Sequence, residues 1–142
     1  MALKKTQLLP ITTVVGVQTV GIYTAGLTAT SVGVGTTSYV KSIIMHNAGA
    51  AADHAGVGTA RVGIYLYPNT GVTDRVSGVG NSSYRILQID LAPNETSFFE
   101  SNYPLVLAPF NAIAVDVKQP DVGGAGVGTA VNFIINGDTE TP

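Results

Sequence analysis

Apolar and polar residues alternate with a period of two along most of this chain. Such alternation puts successive side chains on opposite faces of a strand. Over residues 60–68, Val62, Ile64 and Leu66 alternate with Arg61, Gly63, Tyr65 and Tyr67. Over 83–91, Leu87, Ile89 and Leu91 alternate with Ile86, Gln88 and Asp90. Over 111–118, Ile113, Val115 and Val117 alternate with Ala112, Ala114 and Asp116, and over 129–136, Val131, Phe133 and Ile135 alternate with Asn132 and Ile134. In 37–47 the same period puts Val40 and Ile44 on one face and Tyr39, Ile43 and Met45 on the other. Shorter candidates lie at 18–23, 27–31, 95–100 and 105–107. No long window repeats its apolar residues at helical spacing.

Eight to nine short strands between turn-rich segments predict an all-β fold, an antiparallel β-sandwich of jelly-roll or Ig-like type. Residues 1–17 lack a bounded strand pattern. They read as an extended N-terminal arm, with strand pairing possible at 11–15, ahead of a sandwich domain over 18–142 that ends in a short C-terminal tail. An extended arm of nine residues reaches on the order of 30 Å.

Glycine punctuates the strands. Gly33-Val34-Gly35-Thr36, Gly56-Val57-Gly58-Thr59 and Gly126-Val127-Gly128-Thr129 are one tetrapeptide repeated, and Gly78-Val79-Gly80-Asn81 is a degenerate copy. Each copy precedes a predicted strand, so these read as strand-entry turns. Their spacing is irregular, which excludes a solenoid. No helix start and no Lys-Ser/Thr pair follows the glycines, which excludes a phosphate cradle.

Composition turns the fold toward an assembly role. Charged residues are 11% of the 142, against about 25% in ordinary domains. A chain this uncharged has either a small-polar surface or one covered by neighbours. The net charge of −2 offers no footprint for nucleic acid. No apolar run approaches the ~20 residues that span a bilayer, and the segment after Lys4 and Lys5 is a poor signal peptide, broken by Pro10, Thr12, Thr13 and Gly16. There is no cysteine, hence no disulfide, thiol nucleophile or thiolate metal site.

Catalytic sets are equally hard to assemble. His46 and His54 are eight residues apart, which fits no common metal pattern; Asp53 beside His54 makes only a loose carboxylate–histidine pair. Asp90, Glu95, Glu100, Asp116 and Asp121 are the central carboxylates, with Asp90 and Asp116 at outward strand positions. No calcium-loop alternation of acids occurs. The chain is therefore expected to be non-enzymatic, without cofactor or metal. Candidate partner contacts are Lys4, Lys5, Leu8 and Leu9 on the arm, and Tyr65 and Tyr67 on an outward strand face, where cross-strand packing is the alternative role. Tyr65, Tyr67 and Tyr84, on candidate outer faces, also suggest a carbohydrate- or receptor-binding surface.

Residues 39–136 resemble the small virion structural proteins of tailed bacteriophages, those of cyanophages above all. The resemblance is carried by Val40-Lys41-Ser42-Ile43-Ile44-Met45-His46-Asn47, by Arg61-Val62-Gly63-Ile64-Tyr65-Leu66, and by the turn Leu91-Ala92-Pro93-Asn94-Glu95-Thr96. It extends to Tyr103-Pro104-Leu105-Val106-Leu107, to Asn111-Ala112-Ile113-Ala114-Val115 and to the repeated Gly-Val-Gly-Thr. It implies a multi-copy capsid decoration or cement protein at the head surface of a phage particle. Its partners would be the major capsid protein or other virion proteins, with self-association, and no nucleic acid or membrane. The alternative is a neck, tail or baseplate component, or a receptor- or carbohydrate-binding appendage. The resemblance brings no catalytic residues with it.

Overall fold

The structure is a computed structural model; it describes residues 2–15, 19–26, 36–48, 59–68, 82–119, 124–125 and 130–141. The elements in chain order are β1 (Ala2–Val15), β2 (Val20–Thr24), β3 (Thr37–Asn47), β4 (Ala60–Tyr67), a 3₁₀ turn (Ser82–Tyr84), β5 (Arg85–Leu91), β6 (Thr96–Leu107), β7 (Ala112–Gln119), β8 (Gly124–Ala125) and β9 (Ala130–Thr141). Every pairing is antiparallel. One sheet, A, has the order β1-β9-β3-β6; the other, B, has β2-β7-β4-β5, with β8 against the end of β7.

The pairings are nested. β1 lies with β9, β2 with β7, β3 with β6 and β4 with β5. This is a long hairpin rolled up on itself, the jelly-roll form of the double sheet. The all-β sandwich expected from the alternation is the observed architecture. Strands β3, β4 and β9 begin at Thr37, Ala60 and Ala130, each directly after a Gly-Val-Gly-Thr copy. The tetrapeptides themselves lie outside the described residues apart from Thr36 and Thr59, as does the strand candidate at 27–31.

The core lies between the sheets. Val40, Ile43, Met45, Val131, Phe133 and Ile135 come from sheet A, and Val62, Ile64, Leu91, Ile113, Val115 and Val117 from sheet B. The faces read from the sequence for β4, β5, β7 and β9 hold. The face read for β3 is corrected. A register shift between Val40 and Ser42 leaves Lys41 as an extra residue opposite β9 and reverses the alternation beyond it. Val40 thus joins Ile43 and Met45 in the core, whereas Ile44 turns outward with Tyr39. A bulge has this effect because one inserted residue moves all that follow to the other face.

The arm is also corrected. It is extended, as expected, but Ala2–Val15 is an edge strand of sheet A, in register with β9 from Ala2 opposite Thr141 to Val15 opposite Ala130. The boundary expected at 17/18 therefore does not separate an arm from the sandwich. Two register shifts, one at Leu8 and one taking in Pro10 and Ile11, break the period in the sequence.

Two local devices fix the ends of the sandwich. Asn47 donates from Nδ2 to the Leu91 carbonyl at 3.0 Å, while its N–H donates to the Glu95 carbonyl and its carbonyl accepts from the Asn94 N–H, both at 2.9 Å. It thereby pins the turn that carries the chain from β5 in one sheet to β6 in the other. Gly137 lies so close to the Tyr39 carbonyl across the strands that any side chain there collides with backbone.

Candidate functional site

Three strands of sheet A carry apolar doublets: Ile43-Ile44 on β3, Phe98-Phe99 on β6 and Ile134-Ile135 on β9. The register aligns all three. Ile43 faces Phe99 and Ile135 in one cross-strand row, and Ile44 faces Phe98 and Ile134 in the next. The first row is on the core side. The second lies on the outer face, where a sheet with one solvated side ordinarily carries polar residues. On the fourth strand, Pro10 and Ile11 fill the bulge opposite Ile134. An apolar row thus crosses the whole outer face of sheet A, from Ile11 (65% exposed) through the half-buried Ile134 and Ile44 to Phe98 (60% exposed).

Polar rows border it. On one side stand Thr13, Asn132, His46 and Thr96, directly opposite one another in that order. Thr13 Oγ1 donates to Asn132 Oδ1 at 2.6 Å, and His46 Nδ1 shares a 2.7 Å hydrogen bond with Thr96 Oγ1. On the other side stand Gln7, Asn136, Ser42 and Glu100. An apolar centre with a polar, hydrogen-bonding rim is the anatomy of a protein-contact surface. Covering one large apolar side chain such as Phe98 contributes about 1.5–3 kcal/mol.

Of the residues expected to contact partners, Lys4 and Lys5 are exposed on β1, with Lys5 opposite Asp138. Leu8 and Leu9 are half-buried and pack against the core. Tyr65 and Tyr67 lie on the outer face of sheet B but are buried, Tyr65 with 2% of its surface exposed, so they pack within the sheet's outer layer and present little free surface. They stack on each other, Tyr84 of the 3₁₀ turn tilts against Tyr67, and Ala112 and Ala114 complete the cluster. Of the three tyrosines expected to form a carbohydrate platform, only Tyr84 is exposed, at 37%. Leu8, Leu9, Tyr65 and Tyr67 serve the interior, and the apolar row of sheet A is the surface that sequence reading missed.

Beside the tyrosines lies a buried polar group. Tyr65 Oη donates to Asp116 Oδ2 at 2.7 Å, and Lys118 Nζ reaches the same oxygen at 3.4 Å. Gly63 leaves the space that the Asp116 carboxylate occupies. Burial, followed by the neighbouring Asp116, pushes the Tyr65 phenol up to about 12, with Arg85 acting in opposition. Asp90 pairs with Arg61 at 2.8 and 3.1 Å, and this hydrogen bonding holds its carboxyl below the usual range. Both acids thus have basic partners. Among the described residues no three His, Asp or Glu side chains converge on a metal-sized point; Asp53, His54 and Asp121 lie outside them. A shallow depression of about 260 Å³ between β1 and β2 is lined by Thr12, Thr13, Val14, Val20, Gly21 and Ile22, none of them titratable.

Compared with known proteins, the chain matches no family model, no curated protein and no solved structure.

Proposed function

We propose that this chain is a non-enzymatic structural protein of a tailed-phage particle, a decoration or cement protein that docks on the head lattice through the outer face of sheet A. The observation that carries the docking face is the apolar row Ile11–Ile134–Ile44–Phe98 with its polar rims. The low charge supports it, because few charges need to be desolvated when such a surface is covered. The virion assignment rests on the sequence resemblance. The jelly roll is compatible with it, since viral capsid domains use this double sheet, but fold alone does not specify function.

The test is quantitative. In purified particles of a phage encoding the chain, its copy number should be of the order of the major capsid protein's. A few copies per particle would exclude decoration, and confinement to isolated tails would move the protein to the neck, tail or baseplate. Ile11→Asp, at a largely exposed position, should leave the fold intact and abolish incorporation. Incorporation at the wild-type level would remove sheet A as the docking face.

A further inference from the structure

We propose that two copies of this chain join edge to edge through β6, residues 96–100 of one copy pairing antiparallel with the same residues of the other about a two-fold axis at Phe98. Sheet A then continues through the axis as an eight-stranded sheet. This inference concerns the purified chain alone, so it stands or falls separately from docking on a capsid.

The four sheet edges are protected unequally. An open edge invites another strand, and proteins blunt it with Lys, Pro, bulges or shortness. β1 carries Lys4, Lys5 and Pro10 and two register shifts. β2 has five residues and a register shift of its own. β5 has Arg85 and Asp90 at its ends and a register shift opposite β4. β6 differs. Its stretch Thr96-Ser97-Phe98-Phe99-Glu100 has no Lys, Arg, Pro or Gly and pairs with β3 without interruption. Among the described residues no strand pairs with its other side. Protection begins only beyond Glu100, where four residues ending in Pro104 bulge out against the single Lys41 and leave Tyr103 83% exposed.

The stretch is self-complementary. Antiparallel pairing about Phe98 sets Phe98 against its own copy, Ser97 against Phe99 and Thr96 against Glu100. The only charge of the segment, Glu100, then meets a hydroxyl rather than a second carboxylate. A parallel arrangement would set the two Glu100 side by side, which is unfavourable. Thr96 is already hydrogen-bonded to His46 Nδ1, so when that nitrogen is the donor the threonine hydroxyl is free to donate to the incoming carboxylate. The pairing also joins the two apolar rows end to end through Phe98, giving one continuous stripe across both copies. Such an isologous contact closes on itself and does not propagate.

The chain contains no cysteine, so single cysteines report the register directly. Cβ atoms of directly opposed residues lie about 4.5–5.5 Å apart. On mild oxidation Phe98→Cys should give a covalent dimer, while Thr96→Cys and Glu100→Cys should stay monomeric alone and cross-link when mixed. Sedimentation of the unmodified chain over a concentration series should show a reversible dimer. Phe98→Lys should weaken it about tenfold or more with an unchanged circular-dichroism spectrum. A wild-type chain that remains monomeric throughout overturns the proposal. So does a Thr96→Cys variant that cross-links alone as readily as Phe98→Cys, or a folded Phe98→Lys variant that dimerises normally.

Discussion

Replacing Tyr65 by Phe removes one oxygen from a buried site and little else. The ring keeps its stacking with Tyr67, but Asp116 Oδ2 loses its 2.7 Å donor and keeps only Lys118 at 3.4 Å. A hydrogen bond to a charged group contributes about 1.5–3 kcal/mol, so Tyr65→Phe should lower unfolding stability by about that amount at neutral pH. The pH dependence supplies an independent check. The folded chain holds the phenol proton up to about pH 12, whereas an unfolded tyrosine releases it near 10. Between those values the unfolded state binds fewer protons, so stability falls as pH rises. The contribution of Tyr65 is complete below pH 10 and lost on passing 12, a change of about 2–3 kcal/mol for two pH units. Urea unfolding of both proteins across this range removes the titration of the other tyrosines by difference. The wild-type advantage should narrow as pH rises from 10 to 12. A cost under about 0.5 kcal/mol at neutral pH, the range of an unremarkable surface change, or an advantage that widens with pH, would refute the assignment.

Two further outcomes follow from the same structure. Asn47→Ala should cost about 1–3 kcal/mol by leaving the buried Leu91 carbonyl without that donor; a thermal melt unchanged from wild type would show that the backbone bonds alone hold the turn. Deleting residues 1–9 should destabilise the sandwich by about 2–4 kcal/mol, from the partial burial of Leu8 and Leu9. It should also raise light scattering as β9 loses its neighbour, whereas an unaltered urea midpoint would mean that β1 adds nothing to the fold.

Much of the fold was legible because β4, β5, β7 and β9 keep an unbroken period of two along their core-facing residues. The losses fall where a register shift intervenes. On β3 the extra residue Lys41 separates Val40 from Ile44, although their spacing assigns them one face. On β1 the bulges at Leu8 and at Pro10-Ile11 hide a strand that pairs with β9 on both sides of them. A bulge is a relation between two strands, so one strand's sequence does not announce it. The apolar row on the outer face of sheet A was half legible. The doublets Ile43-Ile44, Phe98-Phe99 and Ile134-Ile135 each break the alternation, and an apolar residue in both phases means that both faces are apolar. That they stand at one level required the register. Tyr65 and Tyr67 were placed on the correct face of β4, but alternation gives only the face; their burial comes from stacking on each other, with Tyr84 tilted against Tyr67, and from Ala112 and Ala114.

The nesting of β1 with β9 also dictates an order of events as the chain is made. All pairings among β2, β4, β5 and β7 use residues up to Tyr67 and from Arg85 to Gln119, so this half of the sandwich can assemble while synthesis continues. β9 is different: it lies inside sheet A, between β1 and β3, yet it follows every other described strand in the chain. Among the described strands, until residues 130–141 leave the ribosome β1 has no pairing partner and β3 has only β6. Until then Ile43 lacks its cross-strand neighbour Ile135. Contacts this distant in sequence form slowly, and transiently exposed edges and apolar rows are where nascent chains aggregate. For this protein, the completion of sheet A is the step at which chaperones and temperature should act.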